Sequence, residues 1–126
     1  AQTIGLELAC QELLKKYEEL KIVLIDLTKF LEEIPEGLIE EKFGHAGKVE
    51  TSLMLALNPE SVRMEDATSE SPTFPNHLLV RDSKKFMKSG VMGNAKIASV
   101  EKGTTLLNLL VNEISKVILE NIRDKS

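Results

Sequence analysis

An α/β layer sandwich is the fold class this sequence predicts, and two observations carry it. The chain opens with the pattern of an amphipathic helix, and there follows a short unbroken apolar run with β-branched residues, Ile22-Val23-Leu24-Ile25-Asp26-Leu27. A strand covered on both faces reads as such a run rather than as alternation. A helix leading into it is the unit from which helix-covered sheets are built.

In the first element, Leu6, Cys10, Leu13 and Tyr17 recur at spacings of four, three and four, with Glu7, Gln11, Lys15 and Glu18 on the other faces. That spacing predicts a helix from about Thr3 to Leu20. Cys10 is the only cysteine; it reads as a small core residue, and no disulfide or cysteine-based metal site can form within one chain. Residues 28 to 44, interrupted by Pro35 and Gly37, predict a loop with one short helix. From Ala46 to Leu57 the apolar positions Val49, Leu53, Ala56 and Leu57 return to helical spacing, and Asn58-Pro59 supplies the stop. His45 therefore sits at or near a helix N-terminus. Between Pro59 and Ala98 lie three of the four prolines together with Gly90 and Gly93, which predicts a long surface excursion with one or two short strands. Leu106, Leu110, Ile114, Val117 and the segment Leu119 to Ile122 mark a long C-terminal helix. Ser99 suits its N-cap, Glu101 its positive start, and Arg123 and Lys125 its negative end.

With 126 residues, 42% of them hydrophobic, the chain has the size of one domain or part of one. A net charge of −4, with 16 basic residues scattered among 20 acidic ones, argues against a nucleic-acid surface. No apolar run reaches the roughly 20 residues needed to span a bilayer, and no charged-then-apolar leader opens the chain. A soluble, cytoplasmic protein is the expectation. The start at Ala1-Gln2-Thr3, without Met and almost at once helical, reads as that of an excised fragment.

His45 with Glu50 is the point richest in possible chemistry. Gly44, Ala46 and Gly47 leave the backbone around His45 uncovered, so a substrate or metal could approach closely. An imidazole is also the side chain best suited to move a proton near neutral pH. On the residues alone two readings stand. In the first, a histidine caps a helix and Glu50 faces solvent; in the second both line a cleft at the helix end, which requires His45 to swing forward from its loop. His77, after Phe74-Pro75-Asn76, reads as a solvent-facing loop residue, with approach to a neighbouring subunit's site as the alternative. Thr51 and Ser52 lack a nearby base and the Gly-x-Ser-x-Gly frame of a nucleophile. Gly90 to Gly93 is too short for a phosphate-binding loop and reads as a turn.

The run His45-Ala46-Gly47-Lys48-Val49-Glu50-Thr51-Ser52, continued by Leu53-Met54-Leu55-Ala56-Leu57 and Pro59, resembles the C-terminal active-site segment of the creatininase family of amidohydrolases. A second stretch, Ser89-Gly90-Val91-Met92-Gly93-Asn94 with Ala98-Ser99-Val100-Glu101-Lys102-Gly103, is similar to that family's Ser-Gly-x-x-Gly-Asp-Pro…Ala-Ser/Thr-x-Glu-Lys-Gly segment. The two occur in family order and spacing, and with the opening helix and strand the resemblance spans essentially all 126 residues.

The resemblance implies a three-layer α/β/α sandwich with a mainly parallel sheet, of which residues 1–126 form the C-terminal half. It implies hydrolysis of a non-peptide C–N bond, a cyclic amide or a formamide, by metal-activated water. His45 would be the proton-transfer residue, and Glu50 a metal ligand or the carboxylate holding the metal-bound water. Two divalent ions are implied, zinc first, with manganese or iron as alternatives. The family's metal-binding Glu-x-His-Gly-x-His and Asn-Gly-His-Gly-x-Asn segments do not occur here, so the N-terminal half of the enzyme is an implied partner, beside a small-molecule amide and further copies in a homo-oligomer. Glu41 stands where creatinine-hydrolysing members carry a tryptophan over the substrate, which puts creatinine in doubt. Asn94-Ala95 replaces the common Asp-Pro. Lys48, where many members have Glu, reads as a solvated helix residue or else as a positive charge for a phosphate- or carboxylate-bearing substrate. The rival to an enzyme is a non-catalytic α/β interaction module derived from one.

Overall fold

The computed structural model describes residues 2–32 and 44–123. Helix α1 spans Gln2–Lys16, α2 Leu27–Glu32, α3 Lys48–Leu57 and α4 Val100–Arg123. Two short strands, β1 (Ser69–Glu70) and β2 (Gly93–Asn94), lie in the segment between α3 and α4.

α1 forms where the apolar spacing predicts it but stops at Lys16 rather than Leu20. Tyr17 donates a last helical bond to Leu13 at 3.0 Å, and Leu20 N–H closes a tight turn on Tyr17 at 3.2 Å. The predicted strand at Ile22–Leu27 is not formed. Residues 21 to 26 carry no assigned secondary structure, Leu27 opens α2, and Val23 and Leu24 are about two-fifths exposed rather than buried on both faces. A strand exists only by pairing its backbone groups with a neighbour, and the described residues offer this segment none. The only sheet among them is the antiparallel pair β1–β2, with Ser69 opposite Asn94 and Glu70 opposite Gly93. A mainly parallel sheet between two helical layers is therefore not what these residues form by themselves. Cys10, expected in the core, is half-buried.

The core lies between α2, α3 and α4: Leu31, Val49, Leu106 and Leu110 are buried, with Phe30, Leu53, Leu109 and Ile114 packed around them. α3 and α4 approach closely because position 103 has no side chain; a Cβ there would stand 1.8 Å from the Ser52 carbonyl oxygen. Ser52 is fully buried, and its hydroxyl accepts the N–H of Ser99 at 3.1 Å. Ser99 in turn caps α4, its Oγ accepting from Lys102 N–H at 3.2 Å. A buried hydroxyl is thus satisfied by joining the middle of α3 to the start of α4. α3 ends as its sequence predicts, with Asn58 N–H on Met54 O at 2.8 Å and Pro59 beginning the next turn. Outside this core large apolar side chains remain open to solvent, above all on α1, where Ile4, Leu6, Leu8 and Leu13 are exposed. No helix among the described residues is long and apolar enough to cross a membrane.

Candidate active site

The loop that enters α3 is clasped by the loop that enters β2. His45 and Met92 form an isolated antiparallel bridge: His45 N–H donates to Met92 O at 3.0 Å, and Met92 N–H donates to His45 O at 2.7 Å. Backbone approach this close needs glycine beside it. A Cβ on Gly44 would fall 1.4 Å from Met92 O, and one on Gly47 3.2 Å from the same atom. Gly44→Ala is therefore expected to part the bridge. Losing two backbone bonds, each contributing about 1 kcal/mol net, should speed amide hydrogen exchange at His45 and Met92 on the order of tenfold or more.

After the bridge the chain turns sharply. Ala46 takes φ +51°, a left-handed conformation uncommon outside glycine, and Gly47 becomes the N-cap of α3 with its carbonyl accepting Thr51 N–H at 3.1 Å. Glu50, in the first turn, reaches back so that its carboxylate accepts the N–H of Ala46. This is the reach of a capping-box acid from the third helical position, displaced by one residue. Gly47 rather than His45 caps the helix, while Glu50 is exposed but tied to the backbone next to His45. His45 is exposed, and its backbone bonds to Met92 hold it at the mouth of α3.

Lys48 departs from the solvated helix residue expected, being only 3% exposed at the first position of α3. Ser52 serves as the structural link to Ser99 described above. His77 is exposed, in a turn with φ +62°. Glu41, whose replacement of a tryptophan bears on the substrate, lies outside the described residues.

One residue that sequence reasoning missed is Glu70. From β1 its carboxylate accepts the N–H of Lys88 and the N–H of Ser89, both at 2.7 Å, and also the Ser89 hydroxyl. The Ser89 hydroxyl, its N–H and the Lys88 N–H together hold the carboxyl below its ordinary value. Because that depression belongs to the folded state, the stabilisation it gives is present above the ordinary carboxylate range and is lost only as pH falls through the lowered folded value. At neutral pH the clasp is fully charged. Asp26 behaves alike at the start of α2, its carboxylate accepting the Thr28 hydroxyl at 2.6 Å and the Thr28 N–H at 3.0 Å, bonds that lower its pKa.

For a metal pair the described residues do not suffice. Among them no three His, Cys, Asp or Glu side chains converge as one ion requires, and the Glu50 carboxylate is already engaged by Ala46.

Comparison with known proteins places this arrangement in a wider setting. The family model for creatininase, described as creatinine amidohydrolase, matches residues 2–118. The creatinine amidohydrolase of Pseudomonas putida is 33% identical over 92% of this chain and 48% of its own length. Among solved structures, a mutant creatininase of the Zn-Zn type and a manganese creatininase each superpose with a TM-score of 0.74 at 33% identity, covering 93% of this chain and 49% of theirs. The chain thus spans about half the length of the relatives it matches.

Proposed function

The chain belongs to the creatininase family, and from that premise we propose that it is the C-terminal half of a single amidohydrolase domain that hydrolyses a non-peptide C–N bond, in a cyclic amide or a formamide. The observation that carries the reading is His45. Its backbone is locked to Met92 at the foot of α3, Gly44 and Gly47 leave the approach bare, and its imidazole is exposed. A side chain so placed can pass a proton to the amine that departs when the C–N bond breaks. Glu50, tied to Ala46, holds the turn that presents it, and in this reading it is a metal ligand or the carboxylate that holds the metal-bound water.

Metal ions, zinc in the first place with manganese as an alternative, belong to this reading because relatives carry them, with iron as a further alternative; their remaining ligands would come from the N-terminal half. The exposed apolar face of α1 and the unpaired run Ile22–Asp26 support such a partner. With it, that run becomes a strand of the mainly parallel sheet of a three-layer sandwich. A cytoplasmic homo-oligomer completes the proposal. The substrate is better sought among formamides and cyclic amides other than creatinine, since Glu41 stands in the tryptophan's place.

A second reading, a non-catalytic α/β assembly module, draws support from the engagement of Glu50 by Ala46 and from the lack of a ligand cluster among the described residues. Elemental analysis of the protein purified from its source without chelators separates the two. About two divalent ions per copy, as a binuclear hydrolase carries, is the expected result. A well-folded, metal-free protein with no hydrolytic activity would leave the module.

A further inference from the structure

We propose that Glu70 is a positioning residue for His45, acting through the turn from Lys88 to Met92; its purpose rests on the amidohydrolase reading, but the coupling itself can be measured without it. Glu70 is twenty-five residues from His45 in sequence. The link between them runs through six hydrogen bonds. The Glu70 carboxylate accepts from Lys88 N–H, Ser89 N–H and the Ser89 hydroxyl. The same Ser89 oxygen accepts Val91 N–H at 3.2 Å, across Gly90, which takes φ +84°. Met92, next in the chain, exchanges its two backbone bonds with His45.

A carboxylate suits this place for a simple reason. Three donors converge on two oxygens, and an ionised carboxyl is an acceptor at both. Its backbone works in the same direction, since Glu70 pairs with Gly93, and two residues earlier Thr68 O continues the ladder by accepting Ala95 N–H at 3.0 Å. Side chain and backbone of one residue therefore fix both the turn before Met92 and the strand after it. Met92 is left little freedom, and His45, bonded to Met92 on both backbone groups, takes its position from it. Proton transfer is sensitive to displacements of about 1 Å, so a loosened Met92 would misplace the imidazole.

Glu70→Gln is the sharpest test, because the amide keeps the shape but turns one acceptor into a donor facing donors. It is read by amide hydrogen exchange and by imidazole C2–H exchange, both followed by mass spectrometry on the protein as purified, at any assembly size. Amide exchange should rise on the order of tenfold across 88–92 and at His45–Ala46 together, with no change at Leu106 and Leu110 in the core. The C2–H exchange profile of His45 should shift, while that of His77, the other histidine of the chain, should not. Ser89→Ala, which keeps the charge but removes both the hydroxyl donor to Glu70 and the acceptor of Val91 N–H, should move the same sites, and serves if Glu70→Gln does not fold. Faster exchange confined to 88–89, with His45 unmoved, overturns the proposal; so does an equal rise in α4, which would mean ordinary loss of stability. Failure of the hydrolase reading would show instead in metal content and turnover, which neither exchange experiment reads.

Discussion

Gly103→Ala should destabilise the protein by roughly 2–4 kcal/mol, although it replaces glycine by the best helix former in the interior of α4. Helix propensity alone favours the change by about 1 kcal/mol. Against it stands the contact: the new Cβ would lie 1.8 Å from the Ser52 carbonyl oxygen and 2.4 Å from its carbon, and 3.0 Å from Ala56 Cβ. A flexible side chain could swing away; a helical carbonyl inside α3 cannot. The two helices must separate, and overpacking of this kind commonly costs about 1–3 kcal/mol. Separation also loosens Val49, Leu106 and Leu110, which lie in the same seam, at about 1.5–3 kcal/mol for each side chain fully returned to water. The Ser99 N–H bond to Ser52 is lost with them. Urea denaturation followed by circular dichroism checks the sign. Gly5→Ala in α1 is the control, since a Cβ there meets nothing within 4 Å; propensity then acts alone and the midpoint should stay or rise. If Gly103→Ala also leaves the midpoint unchanged, α3 and α4 are not held together by this close approach.

The difference between those glycines shows what the sequence makes legible. α3 and the first half of α4 bury a regular apolar stripe, so their period, the stop of α3 at Asn58-Pro59 and the Ser99 cap are legible in spacing and residue type. The run Ile22–Leu27 predicts a buried strand because composition reports what a segment could pack against, whereas strand formation depends on neighbours that the described residues lack. Position 103 is recorded as glycine, but nothing local tells that Ser52 will face it. The cap made by Glu50 had a local signal, an acid three residues after Gly47, which the catalytic reading of Glu50 obscured. Glu70 had none, because its partners lie 18 and 19 residues away and meet it only once β1 and β2 pair. Lys48 is the converse case: helix periodicity placed it correctly on α3, but its burial depends on what folds over the helix start.

For the site, the decisive expected result concerns His45. On the proposed amidohydrolase reading, His45→Ala should lower turnover of the C–N hydrolysis by about 10²–10⁴-fold, the range associated with a positioned proton-transfer group, while leaving thermal stability nearly unchanged. The two halves of that expectation come from different parts of the residue. Its structural role is carried by the backbone N–H and C=O that bridge to Met92, and alanine keeps both. The imidazole is exposed, so its removal opens no cavity in the core around Leu106 and Leu110. Gly44→Ala inverts the pattern, since it parts the bridge and keeps the imidazole. It should lose activity through displacement, with local exchange raised. His45→Gln offers a finer comparison, as it keeps a polar side chain but cannot take up and release a proton near neutral pH. If the imidazole only binds substrate, Gln should retain a large share of the rate and the loss should fall mainly on KM. If it moves the proton, both variants should fail alike in kcat. Turnover that survives both substitutions would remove His45 from the proposed chemistry.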